Sequence, residues 1–135
     1  MVANRIPILR VADKLLISIQ VELTDQTIAL LQSDVLGALE KRPARGVLID
    51  ISALEIVDSY MGRMLVDTAK QVSIMGARAV VTGIQPPVAV ALIEMGISLE
   101  EVETSLDVDS GIQLLDDLLH DPGNSANDAR DEMPE

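Results

Sequence analysis

Asp58-Ser59 is the pair in this chain whose chemistry can be named before its fold. It ends a loop that begins near Ser52 and runs straight into a stretch of helical periodicity, so the serine hydroxyl stands where a helix starts. Two uses fit that place. A serine at a helix start can be its N-cap, accepting a hydrogen bond from an N–H two or three residues on. An exposed hydroxyl there can also accept a phosphoryl group, whose charge then sits on unpaired N–H groups at the positive end of the helix dipole. The two uses are compatible, because a capping hydroxyl at a loop edge stays reachable. Asp50 and Asp58 invite a third idea, the acidic pair of an aspartyl-phosphate receiver. Such a site needs a lysine late in the sheet, and no lysine follows Lys70. The same carboxylates could hold Mg²⁺, but no further ligand converges on them.

The rest of the chain offers little catalytic equipment. His120 is the one histidine and there is no cysteine, which excludes a Ser-His-Asp triad, a two-histidine metal site, thiolate chemistry and disulfides. Neither GxGxxG nor GxxxxGK[ST] occurs, so no phosphate-cradling loop is present. Gly76, Gly83 and Gly96 fit helix stops and a turn instead. Whether Ser73 or Thr82 is modified as well is not decided by the sequence. No enzyme activity and no metal or cofactor is expected.

Composition narrows the partners. With no Phe, no Trp and one Tyr, stacking on bases or sugars has no platform. Ten Lys and Arg against 22 Asp and Glu leave a net charge of −12, which repels nucleic-acid backbones and anionic lipid alike. The chain opens without an apolar stretch of signal-peptide length, and no run approaches the roughly 20 apolar residues of a membrane span. A soluble, cytoplasmic chain is expected, binding neither nucleic acid nor membrane. Its 135 residues suit one domain, and a 48% hydrophobic content supports a core of Leu, Ile, Val, Ala and Met.

The elements that must position Asp58-Ser59 read off as an α/β domain. Ile6 to Leu9 and Leu15 to Ile19 read as two strands around a bend at Ala12-Asp13-Lys14, and Pro7 marks the first as an edge. Thr24 caps a helix that carries Ile28, Leu31, Val35 and Leu39 on one face and ends at Lys41-Arg42-Pro43. Gly46 to Ile51 is a strand buried on both faces. A helix from about Tyr60 to Met75 follows, with Met61, Met64, Leu65, Ala69, Val72 and Met75 on its packed face. Ala79 to Thr82 repeats the buried-strand pattern. Pro86 and Pro87 open a short helix, Val88 to Met95, that carries one charge, Glu94. A helix so apolar either packs wholly inside or makes a subunit interface. Leu99 to Glu103 predicts a last strand, and Asp107 to Leu119 a last helix with Asp107 as its cap. From Asp121 onward five acids and one base accompany almost nothing apolar, which reads as a flexible acidic tail over 121–135. In open α/β sheets the loops at the carboxyl ends of strands gather ligands, which brings 52–59 and 83–86 together.

These residues resemble a known family. Val47-Leu48-Ile49-Asp50-Ile51 through Val57-Asp58-Ser59, followed by Met75 to Pro86, is similar to the STAS domain of anti-sigma-factor antagonists. Thr82-Gly83-Ile84-Gln85-Pro86, with Val88-Ala89-Val90 and Leu92 to Ile97, resembles its stressosome branch, and Ile6 to Leu9, Leu16 to Gln20 and Asp25-Gln26-Thr27 agree with it. The likeness covers residues 5 to 119. It implies a mixed sheet of about five strands with about four helices over 1–120. The first strand begins near Arg5, so the chain is similar to the lone-STAS, RsbS type rather than to chains that carry a sensor domain ahead of the STAS domain. The resemblance further implies a scaffold subunit that sequesters a switch serine kinase and is phosphorylated by it on Ser59. It implies a partner surface at Asp58, Ser59, Tyr60, Gly83, Gln85 and Pro86, a sensor-bearing STAS paralogue in a large hetero-oligomer, and a phosphatase that resets Ser59. The acidic tail departs from the short C-terminus expected of this type. Two other readings stand beside it: a monomeric antagonist that binds an anti-sigma kinase directly, and an anion or nucleotide binder using the paired helix starts.

Overall fold

The structure, a computed structural model, describes residues 5–20, 23–100 and 102–120; the segment expected to be a tail lies outside them. Its elements are β1 (Ile8–Val11), β2 (Lys14–Ser18), α1 (Asp25–Lys41), β3 (Gly46–Asp50), α2 (Ser59–Ile74), β4 (Arg78–Thr82), α3 (Pro86–Glu94), β5 (Glu103–Ser105) and α4 (Val108–His120). The five strands lie in the order β1-β2-β3-β4-β5, with β1 antiparallel to β2 and the rest parallel.

Alternation along the central strands builds two cores, because successive side chains leave a strand on opposite faces. Leu15 and Ile17, Val47 and Ile49, and Ala79 and Val81 point to the face covered by α1, α2 and α3, where Ile28, Leu31, Leu65, Val72, Val88 and Leu92 are buried with them. Leu16, Leu48 and Val80 point to the other face, under Ile112 and Leu115 of α4. Gly111 lets α4 come this close, since a Cβ there would stand 2.5 Å from a Leu48 methyl. Thr24 caps α1 by accepting from the Thr27 N–H, and Asp107 accepts from the Ser110 N–H at the start of α4, both as the sequence predicts.

Several boundaries differ from the sequence reading. The first strand starts at Ile8, and its turn is the two residues Ala12-Asp13, with Ala12 at φ 54°. Pro7 has no N–H to offer a ladder, which delays the pairing. The edge position expected from Pro7 holds. The last strand is Glu103–Ser105 rather than 99–103. Leu99 and Val102 instead turn inward against the main core, with the Val102 N–H donated to the Leu99 carbonyl. β5 is a polar edge strand held by its ladder to Val80–Thr82 and by the Ser105 hydroxyl, which donates to Thr82 Oγ1 at 2.8 Å. Met75 does not join the packed face of α2. It is the C-cap, 46% exposed, where the chain turns at Gly76.

Candidate functional site

β3 and β4 run parallel and end side by side, with Asp50 opposite Thr82. Their following loops therefore meet over the sheet's carboxyl edge, and each leads into a helix. The first loop runs from Ser52 to Val57 and delivers Asp58-Ser59 to the start of α2. Leu54 and Val57 are buried and pin it from below, while Ile56 between them is 83% exposed.

The cap of α2 is Asp58, not Ser59. Asp58 has extended backbone angles and its Oδ1 accepts the Met61 N–H at 2.8 Å. Ser59 is the first residue inside the helix, exposed, and its hydroxyl makes no hydrogen bond among the described residues. Both types cap well, so the sequence could not choose between them; the backbone conformation does. The hydroxyl is thus released from a structural task and stands on the positive end of the helix dipole.

The second loop, Gly83 to Gln85, touches the first at Ser52. Gly83 has φ 79°, and a Cβ there would stand 2.6 Å from Ser52 Cβ and 2.9 Å from Ser52 Cα, so only glycine permits the approach. Gln85 donates from Nε2 to the Ser52 carbonyl at 2.6 Å, and Asp50 Oδ1 accepts the Ser52 N–H at 3.0 Å. The expected surface residues divide accordingly. Asp58, Ser59, Tyr60 and Pro86 are exposed, whereas Gly83 and Gln85 are half-buried and serve the contact between the loops. On the opposite side of the first loop lies an open groove of about 380 Å³, lined by Gln20, Leu23, Leu54, Ile56, Asp58 and Met61. Ile56 and Ser52 escaped the sequence reading. Ile56 lies among Ala53, Leu54 and Val57 in a loop with no periodicity to tell its exposed apolar residue from the buried ones, and Ser52 acts through its main chain.

Asp50 and Asp58 each accept a backbone N–H through Oδ1, from Ser52 and Met61 respectively. No group of three or more His, Asp or Glu able to hold a metal is found among the described residues. Pro86 and Pro87 lack N–H groups, which leaves the start of α3 poorer in anion donors than an ordinary helix N-terminus. Thr82 is fully buried and bonded to β5 through its hydroxyl, so a kinase cannot reach it. Ser73 is exposed, its hydroxyl donating to the Ala69 carbonyl. Val90 (55% exposed) and Ile93 (73%) of α3 face outward while Val88 and Leu92 are buried, so this helix is not wholly inside the domain. No described helix is long and apolar enough to cross a membrane.

Comparison with known proteins gives these features a context. The family model for the STAS domain matches residues 5–111. A structure of an RsbS variant from Moorella thermoacetica is 35% identical with a TM-score of 0.78, covering 86% of this chain and 98% of that one. A chain from a structure of the stressosome, described as a signal integration and transduction hub, is 36% identical with a TM-score of 0.75, covering 84% and 99%. Among curated proteins, the RsbT co-antagonist protein RsbRA of Bacillus subtilis is 29% identical over 83 residues, 62% of this chain. Those residues span 30% of that relative's length.

Proposed function

This chain belongs to the STAS-domain family, on its stressosome branch, and from that membership we propose that it is an RsbS-type scaffold subunit switched by phosphorylation of Ser59. In its unmodified state the chain holds a switch serine kinase against the carboxyl edge of the sheet. The kinase transfers a phosphoryl group to the Ser59 hydroxyl, leaves, and activates a downstream stress pathway, and a phosphatase removes the phosphate. The observation that carries this reading is the exposed, unbonded hydroxyl of Ser59 beside an independent cap, Asp58. Phosphate there adds about −1.5 to −2 charges. At a helix N-terminus the fold tolerates that charge, whereas a kinase docked on Asp58, Tyr60 and Pro86 meets new repulsion and a wetted contact.

The neighbours proposed in the assembly are sensor-bearing STAS paralogues. The curated relative, named a co-antagonist of RsbT, extends well beyond the part matched here. A hetero-oligomer of this kind, in the cytoplasm, is favoured over a monomeric antagonist by the exposed Val90 and Ile93 of α3. Incubation with the purified switch kinase and ATP, followed by mass spectrometry, is expected to place one phosphate on Ser59 and none on the Ser59→Ala variant. Undiminished phosphorylation of that variant overturns the assignment. Co-purification with the sensor-bearing paralogue at high mass separates scaffold from monomeric antagonist.

A further inference from the structure

We propose that Gln85 is a positioning residue for Ser59: its side-chain amide latches the loop that delivers Asp58-Ser59 to the turn before α3, and so holds the serine in place for phosphoryl transfer. The proposal rests on the reading of Ser59 as phosphoacceptor.

Gln85 stands at the N-cap of α3, a position where a side-chain oxygen can accept from the N–H of the second or third helical residue. Here the first two helical residues are Pro86 and Pro87, which have no N–H, and Gln85 makes no side-chain cap bond. Its Nε2 instead donates across the loop boundary to the Ser52 carbonyl at 2.6 Å. Gly83 makes the crossing possible by letting the two backbones touch at Ser52.

The first loop needs such a tie because its support is one-sided. From Ser52 to Val57 its other hydrogen bonds among the described residues are local: Ser52 N–H to Asp50, and Leu54 N–H to the Ile51 carbonyl. Leu54 and Val57 anchor it below. Toward α1 it faces the open groove beside Leu23 and Met61 rather than packed side chains. Without the Gln85 bond the segment 53–58 can lean into that groove, carrying the cap and Ser59 with it. A consequence is that α3, with its exposed Val90 and Ile93, and the phosphoacceptor loop keep one registration.

The test compares wild type with Gln85→Met and Gln85→Glu, which lose the donor at similar size, and Gln85→Lys, which restores a donor of similar reach. Amide hydrogen exchange over residues 53–58 is expected to quicken about 2- to 10-fold in the first two, the range of one net hydrogen bond, and to return toward wild type with lysine. With the purified switch kinase and ATP, kcat for phosphorylation of Ser59 is expected to fall by a similar factor with KM unchanged, and lysine is expected to rescue it. Unchanged exchange overturns the latch. Faster exchange with unchanged kcat overturns the positioning role, as does a loss that lysine shares. Phosphate mapped elsewhere in wild type overturns the phosphoacceptor reading and this role with it, while the exchange arm still reports the latch by itself.

Discussion

Ser59 and Asp58 differ in what they do for the fold, and their substitutions should separate accordingly. Ser59→Ala removes a hydroxyl with no described partner, so stability should stay within about 0.5 kcal/mol of wild type. Asp58→Ala removes the acceptor of the Met61 N–H and should cost about 0.5–2 kcal/mol, read by chemical denaturation. A Ser59→Ala variant as destabilised as Asp58→Ala would mean the serine shares the capping. Ser59→Asp should keep the wild-type circular dichroism spectrum, since an acid at a helix start is favoured, while losing kinase affinity. An unfolded Ser59→Asp protein would defeat the phosphorylation mechanism. That a helix starts at the pair was legible in the sequence. Which member caps was not, because both are good N-cap types and only the extended backbone at Asp58, φ −90° and ψ 177°, decides it.

Among the elements, the β1–β2 hairpin carries a strained residue. Ala12 sits at φ 54°, where an L-residue with a Cβ costs about 1–2 kcal/mol. Ala12→Gly relieves that strain but adds freedom to the unfolded chain, so a net gain of about 0.5–1 kcal/mol is expected in thermal melts. A lower melting temperature would refute the turn geometry. The β4–α3 turn behaves in the opposite sense. Gly83→Ala places a Cβ against the Ser52 backbone at a left-handed position and should cost of order 1–3 kcal/mol. The same change should loosen the 52–58 loop. The sequence identified the buried strands β3 and β4 from their continuous apolar runs, yet misplaced β5. Leu99 and Val102 look like strand residues but pack against the core from the connection, half-buried and buried respectively, and the paired residues Glu103 to Ser105 are polar.

At the scale of the molecule, two properties follow from surface and charge. Replacing the outward Val90 by Lys should disperse the proposed assembly without melting the domain, as read by light scattering beside a thermal melt. Unaltered particle size with a lower melting temperature would place the interface elsewhere. Lys14 links the β1–β2 hairpin to α4, donating to Asp116 at 2.8 Å and to Asp13 at 3.3 Å. The Asp116 bond is the main cause that raises the Lys14 pKa, against the opposing effect of burial. Burial pushes the Asp13 carboxyl up, but the Lys14 and Arg45 charges and a backbone bond outweigh it and leave its pKa lowered. The Ser110 N–H holds Asp107 lower as well. A lowered carboxyl stabilises the fold above its ordinary range near 4 and loses that contribution as pH falls through its native value. A raised lysine stabilises below about 10.4 and loses it as pH rises through its native value. Melting temperature against pH should therefore be flat near neutrality and fall at both ends. Lys14→Met should remove part of the alkaline fall; an unchanged alkaline limb would show the Lys14 bridges are not formed in solution.

By itself the sequence determined the α/β class, the edge placement of β1, and the caps at Thr24 and Asp107. Each of these rests on local periodicity or on residue type at a helix end, which neighbours along the chain specify. Only the tertiary structure decided that Asp58 rather than Ser59 caps α2, that Thr82 is sealed under β5, that Ile56 stands exposed, and that Gln85 reaches Ser52 across 33 residues. The cap is set by the backbone angles at Asp58, the sealing of Thr82 by the β4–β5 ladder, and the Gln85–Ser52 bond by the parallel ladder of β3 and β4 that brings their loops side by side, and no local pattern along the chain encodes these approaches.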